Sequence, residues 1–396
     1  MRREPACYGR EMRRLVVLLS SIVALDIAFF AALTPLLPHF VSTYGLSKAA
    51  AGLLSASYAA GVLAASLPSG LAAARYGPRK AALAGVSLAA AASVVFAFAD
   101  SAWLLGAARF LQGVGSALSW SGALAWLVAA APRERRGALI GTVMGAAVFG
   151  ALFGPVIGAI ATVAGVRATF GGVALLGVAL AIWVIATPGV PAQPQPFKEL
   201  FRRADRRLLG GMWLLVLPAL LFGVVSVLVP LRLHDAGWGG VAIGAVFLTT
   251  AALETVLNPL LGRFTDRRGY LLPVRVALVG SALVSLGFAW TRSAPAVAAL
   301  VLLAGLAYGG FYTPGMTLLT DAAERRGISA ALAFGAMNGA WAAGNVVGPA
   351  AGGWLAELAG DALPYLLLAT VCLVSLAATW RVGARQLQPS SRPSSP

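Results

Sequence analysis

Apolar residues recur in runs too long for a soluble core. A membrane-crossing helix needs about 20 consecutive, mostly apolar residues. Twelve such runs can be drawn, at 15–41, 49–73, 81–99, 103–130, 138–163, 168–187, 208–231, 240–262, 271–291, 296–319, 329–357 and 363–381. Polar and glycine-rich turns separate them. The first follows Arg13 and Arg14, and a signal peptide would begin similarly. It is too long for one, contains Asp26 and lacks a small-residue cleavage site, so it reads as a retained first span. The pattern predicts an all-α membrane protein.

Composition agrees: 59% of the 396 residues are apolar, 11% are charged and the mean hydropathy is +0.83. A water-soluble enzyme is excluded, because no core could hide this much hydrocarbon behind so few charges. The net charge of +16 would suit a nucleic-acid binder, but its placement says otherwise. All but five of the 30 Arg and Lys lie before span one, after span twelve, or around the connections that follow even-numbered spans. Four of the five (Lys48, Arg167, Arg232 and Arg292) fall on the opposite side, and Arg109 lies within span four. By the positive-inside rule both termini are cytoplasmic.

The longest connection, 188–207, is proline-rich and then arginine-rich. It divides the chain into an N-terminal six-helix half (1–187) and a C-terminal one (208–381), followed by a tail at 382–396 expected to be unstructured. Repeats support the division. Gly70-Leu-Ala-Ala-Ala-Arg75-Tyr-Gly77 returns after 192 residues as Gly262-Arg-Phe-Thr-Asp266-Arg267-Arg268-Gly269. Pro38, taken as the end of span one, returns as Pro230, and Gly154-Pro155-Val-Ile-Gly158 returns as Gly348-Pro349-Ala-Ala-Gly352. Two parallel, pseudo-symmetric halves with a pathway between them follow.

At these residues the chain resembles the major facilitator superfamily, and within it the twelve-span drug:proton antiporters. Gly70, Arg75, Gly77, Arg79 and Lys80 approximate the family's loop after span two, although Ala74 replaces its acid; the second copy keeps that acid as Asp266. Arg109-Phe-Leu-Gln112-Gly113-Val-Gly115-Ser-Ala117 is similar to its span-four motif. Gly150, Gly154, Pro155 and Gly158 resemble the antiporter signature of span five, and Asp26 followed by Pro35 and Pro38 resembles span one. The resemblance implies alternating access, with gating by Gly70, Arg75, Gly77, Gly154, Pro155, Asp266, Arg267, Gly269, Gly348 and Pro349. By that logic Asp266 latches the cytoplasmic side against a helix N-terminus, where Ala74 cannot. The glycines also read simply as close-packing positions.

Charges inside the bilayer are costly and mark pathways. Asp26 and Arg109 lie at depths differing by about 5 Å at 1.5 Å per residue, so a direct or water-bridged pair is feasible. Either it locks two helices statically, or Asp26 is the proton switch and Arg109, which holds its proton throughout, tunes it. Glu254, mid-membrane in span eight, has no obvious cation and is a third candidate for proton coupling or for a cationic cargo. By family resemblance the cavity is lined from both halves, with Tyr58, Trp120, Trp126, Tyr308, Tyr312, Asn338, Trp341 and Asn345 as candidates; each alone is more often a lipid-facing or packing residue. Together they would make an aromatic, sparsely polar pocket.

None of Lys48, Lys80 and Lys198 sits in a phosphate-binding loop, so ATP drive is not expected, nor are a nucleic-acid partner, a cofactor or a metal. His39, His234, Cys7 and Cys372 form no ligand cluster in the sequence. The expected protein is a monomeric, proton-coupled exporter of small amphipathic compounds in a bacterial cell (inner) membrane, with the lipid as its solvent. A sugar or metabolite facilitator or importer of the same fold is the alternative; a membrane enzyme or non-transporting receptor is a more distant one.

Overall fold

The computed structural model describes residues 5–132, 135–191, 206–327 and 330–386, without the side chains of 258–259, 261–268 and a few others within helices. Most of the expected linker and the last ten residues therefore lie outside the described residues.

The described residues form thirteen helices: α1 (Pro5–Tyr44), α2 (Lys48–Tyr76), α3 (Pro78–Ala97), α4 (Ala102–Ala130), α5 (Arg136–Ala164), α6 (Val166–Ala186), α7 (Arg206–Asp235), α8 (Gly240–Arg268), α9 (Leu271–Trp290), α10 (Ala294–Gly309), α11 (Tyr312–Arg325), α12 (Ala330–Ala359) and α13 (Ala362–Gln386). Eleven crossings are long and apolar enough to span a membrane, α10 and α11 counting as one. The remaining crossing, α12, packs between α2 and α7. The face at which α1 starts and α13 finishes is the terminal face, and the opposite one the distal face.

Three boundaries differ from expectation. Pro38 and Pro230 do not end their spans: α1 and α7 continue through them to Tyr44 and Asp235. Within hydrocarbon, losing one helical hydrogen bond costs less than leaving a whole segment unpaired, so the helix carries on past the proline. Span ten is broken at Gly309-Gly310-Phe311, where adjacent glycines weaken the helix. The last helix runs to Gln386, five residues into the expected tail.

Local signals set the turns. Ser47 and Ser101 cap α2 and α4 by accepting N–H groups of Ala50 and Leu104. Three pairs of turn glycines share positive φ at nearly the repeat offset: Gly45 and Gly237 (62° and 87°), Gly77 and Gly269 (97° and 72°), Gly165 and Gly360 (88° and 85°). Only glycine takes these angles without strain. The repeat is thus written in backbone geometry as well as sequence.

Small residues bring the helices together. A Cβ on Gly150, Gly154 or Gly158 of α5 would collide with α1 at Ala24, Ala31 and Ala32. Their counterparts Gly344, Gly348 and Gly352 on α12 face Val216, Leu220 and Val224 of α7 in the same way. Each half therefore has one glycine-striped helix pressed against its first helix. Between the halves, Gly52 of α2 lies on the Pro349 carbonyl of α12, and Gly244 of α8 lies on the Pro155 carbonyl of α5. These two crossings, near the distal face, are related by the repeat.

The buried core follows. One continuous apolar cluster, from Phe29 and Leu37 through Leu221 and Leu228 to Phe288 and Tyr308, joins both halves. Toward the terminal face two separate clusters take over, one of α1, α3, α4, α5 and α6, the other of α7, α11 and α12. The halves are sealed at the distal end and their cores diverge toward the termini.

Candidate functional site

The middle of the molecule holds the charged residues singled out above. Asp26 of α1 is buried and accepts three hydrogen bonds, from the Tyr58 hydroxyl at 2.8 Å, the Ser116 hydroxyl at 2.7 Å and the Trp120 indole N–H at 2.7 Å. All three donors are neutral, and they come from α2 and α4. Hydrogen bonds to a charged group contribute about 1.5–3 kcal/mol each, so this set accommodates a carboxylate without a cation.

Arg109, also buried, does not make the direct pair considered above. Its guanidinium donates to the Phe29 carbonyl at 2.9 Å, the Phe30 carbonyl at 3.2 Å and Gln112 Oε1 at 3.2 Å. Gln112 in turn donates to Ser93 of α3 at 3.1 Å. These backbone acceptors lie just before Ala31, whose carbonyl Pro35 deprives of its usual helical partner. The guanidinium carbon also lies 4.8 Å from the centre of the Tyr58 ring. Tyr58 thus meets Asp26 with its hydroxyl and Arg109 with its face, and separates the two charges.

From Tyr58 an aromatic run crosses into the other half. The Phe30 ring is 5.3 Å from Tyr58 and 5.0 Å, edge on, from Trp341 of α12. Trp341 and Tyr312 of α11 are neighbours, and Tyr312 is within electrostatic reach of Glu254. Glu254 lies on α8 against the glycine face of α10: a Cβ on Gly305 would stand 3.0 Å from its Oε1. Among the described residues no hydrogen bond or ion pair satisfies its carboxylate. The two acids therefore stand at opposite ends of one aromatic connection, each in its own half.

The remaining candidates divide. Asn345 is buried and donates to the Trp341 carbonyl, while Asn338, one turn before Trp341 on α12, is half-buried. Trp126 and Tyr308 do not join the group. Trp126 is fully buried in the terminal-side core of the first half. Tyr308 is locked between Ser285 and Phe222 in the second. Both are fully buried in the apolar core. Phe30, Ser116 and Gln112 belong to the site without having been singled out as cavity residues. Phe30 was within reach of sequence reasoning, since it lies four residues after Asp26 and so on the same helix face.

The suggested gating residues sit at helix ends and crossings. Gly70 is half-buried near the end of α2, and Arg75 is exposed over the Tyr76 ring. Gly77 and Gly269 make the matching turns; Gly269 also lines a cleft of about 320 Å³ with Tyr270, Asp321 and Arg325. The side chains of Asp266 and Arg267 lie outside the described residues. Gly154 and Gly348 are packing positions, and Pro155 and Pro349 stand at the two crossings between halves.

Residues 19–334 match the family described as the Major Facilitator Superfamily. The probable vesicular acetylcholine transporter-B of Danio rerio is 36% identical over 138 residues, covering 34% of this chain and 27% of that protein. The vesicular acetylcholine transporter of Homo sapiens is 34% identical over 138 residues, covering 34% of this chain and 25% of that protein. The matched part of the chain thus spans about a quarter of the length of these relatives. Among solved structures, a bacterial homologue of the human lysosomal transporter Spinster, inward-facing and occupied, is similar with a TM-score of 0.76 at 16% identity, over 93% of this chain and 96% of that one. The xylose transporter XylE from E. coli, partially occluded and inward open, gives 0.71 at 13% identity, over 93% and 99%. At such identities these structures speak for the fold. The family match covers most of the chain, the fold agrees with it, and this protein belongs to the Major Facilitator Superfamily.

Proposed function

We propose that this transporter is a proton-coupled exporter of small amphipathic organic compounds, neutral or cationic, working by alternating access between its halves, 1–187 and 208–381. The observation that carries this reading is the pair of mid-membrane carboxylates that make no direct ion pair among the described residues. Asp26 is held by neutral donors only, Arg109 being engaged with carbonyls, and Glu254 has no hydrogen-bond donor among the described residues. A carboxyl group so placed can exchange a proton with little rearrangement, which a locked ion pair could not do. The ring of Tyr312 near Glu254, with Trp341 next to it, favours an organic cation by cation–π attraction. Relatives named for acetylcholine, itself a quaternary ammonium, support cationic cargo over a sugar.

With both termini in the cytoplasm of a bacterial cell, the distal seal defines a state facing inward, ready to load cargo for export. Asp26→Asn keeps the shape of the site and removes the titratable group. It should abolish uphill efflux driven by an imposed pH gradient in proteoliposomes while leaving expression and cargo binding nearly intact. Undiminished uphill efflux would overturn the assignment of Asp26 as the proton site.

A further inference from the structure

The distal seal is built differently on its two sides. Where α5 crosses α8 it is uncharged: Gly240 faces Thr162 and Gly244 faces Pro155. Where α2 crosses α12 the equivalent contact is charged. Glu357, in the last turn of α12, accepts the backbone N–H of Ala49 at 2.9 Å and pairs with the hydroxyl of Ser47, the cap of α2. Asp361, one turn further, accepts from Lys48 Nζ at 2.5 Å and from Arg232 Nε at 3.2 Å. Arg232 is itself fixed by the Phe288 carbonyl at 2.7 Å and by the Tyr365 ring. The repeat-equivalent positions Val163, Val166 and Gly240 carry no charge.

Ser47, Lys48 and Ala49 belong to the first half, and Glu357, Asp361 and Arg232 to the second. The Glu357 contacts and the Lys48 contact therefore exist only while the halves touch at this face. We propose that Glu357 and Asp361 form an electrostatic latch that holds the distal side shut by gripping the start of α2. Glu357 satisfies the Ala49 N–H at a helix start, where the dipole favours an anion, and Asp361 holds the lysine beside it. On opening, the carboxylates leave with the second half. Asp361 keeps Arg232, so the released state strands no buried anion, and this is what lets the latch release. Lys48 is more than a third exposed, so the grip is modest and salt-sensitive, as a reversible gate requires. The latch depends only on the halves parting at this face, and it stands whether or not protons drive transport.

The test uses the full chain in lipid nanodiscs, with spin labels on Thr43→Cys at the distal end of α1 and Ala236→Cys in the turn after α7, exposed positions of opposite halves. Glu357→Gln, Asp361→Asn and Lys48→Met should each raise the ratio of distal-open to distal-closed molecules by about 2- to 5-fold. Asp361→Glu, which keeps the charge, should stay close to the parent distribution. Because Lys48 acts through Asp361, Lys48→Met combined with Asp361→Asn should open the face no further than Asp361→Asn alone. Unchanged distances in both Glu357→Gln and Asp361→Asn would overturn the latch, as would an equal shift from Asp361→Glu or a fully additive double variant. Asp26→Asn in the same assay separates this result from the proton reading, since that reading can fail with the latch intact.

Discussion

The burial of Asp26 and Glu254 costs the protein differently. Asp26 recovers part of the cost from three fixed donors, each in hydrogen-bond contact before any cargo arrives. Glu254 recovers nothing comparable among the described residues, so its compensation has to come from what binds. A cation near a carboxylate at an effective dielectric of about 20 gains roughly 4 kcal/mol at 4 Å, most of which a neutral cargo never had. Glu254→Gln should therefore weaken binding of organic cations about tenfold or more, and binding of neutral cargo by less than about twofold, in titrations on purified protein. Equal losses for both would show that Glu254 only shapes the pocket. Residue depth was legible in the sequence, because residues from the end of a span convert directly into ångströms. Rotation about the helix axis was harder to read. Arg109 and Asp26 lie at matching depth, yet Tyr58 stands between them and the guanidinium turns to the Phe29 and Phe30 carbonyls. Trp120 and Trp126 are six positions apart, about 120° away from each other round the helix, and only the first reaches Asp26.

At the scale of the helix the glycine stripes matter most, and their positions were visible as Gly-x-x-x-Gly spacings while their partners were not. Gly154 meets the Ala31 Cβ and the Ala28 carbonyl of α1, and Gly348 meets the Leu220 backbone of α7. Gly141 and Gly145 lie on the same helix as Gly154 but have nothing within 4 Å of an added Cβ. Gly154→Ala and Gly348→Ala should each destabilise the protein by about 1–3 kcal/mol, the usual cost of overpacking. Gly145→Ala should be neutral or mildly stabilising, since alanine is favoured over glycine in a helix by up to about 1 kcal/mol. Thermal unfolding in detergent, read against the parent chain, separates the two classes. If all three substitutions behave alike, the close approach of α1 and α5 does not limit stability. The prolines carried a misleading signal. Pro38 and Pro230 read as stops by soluble-protein rules, but in lipid no alternative partner is available for a frayed backbone, and the helices run on.

Over the whole molecule the halves were readable from offsets near 192 residues, and the side that is sealed was not, since it depends on contacts between residues about 300 apart in sequence. Lys48 with Asp361 and Ala49 with Glu357 are such contacts. The orientation in the membrane rests on arginine placement and is open to direct measurement. A reporter enzyme active only outside the cytoplasm should be active when inserted at the Gly237 turn and silent when joined after Gln386. The reverse pattern would invert the molecule and turn the distal seal into a cytoplasmic one.

The paired glycine turns also bear on ancestry. Gly45 with Gly237, Gly77 with Gly269 and Gly165 with Gly360 keep one backbone gesture at matched places in two stretches whose side chains otherwise differ widely. A duplicated ancestor explains this economically: both copies had to make the same turns, and neither had to keep the same chemistry. Asp26 now answers to Pro218 in the other copy, and Glu254 answers to Val62. Each copy has thus become a specialist, one carrying the acid wrapped in donors and the other the bare acid. Because the halves run parallel, even two identical copies would tell one membrane face from the other, but both would carry the same acid in the same surroundings. Divergence between the copies is what lets a single pathway hold two acids of different character.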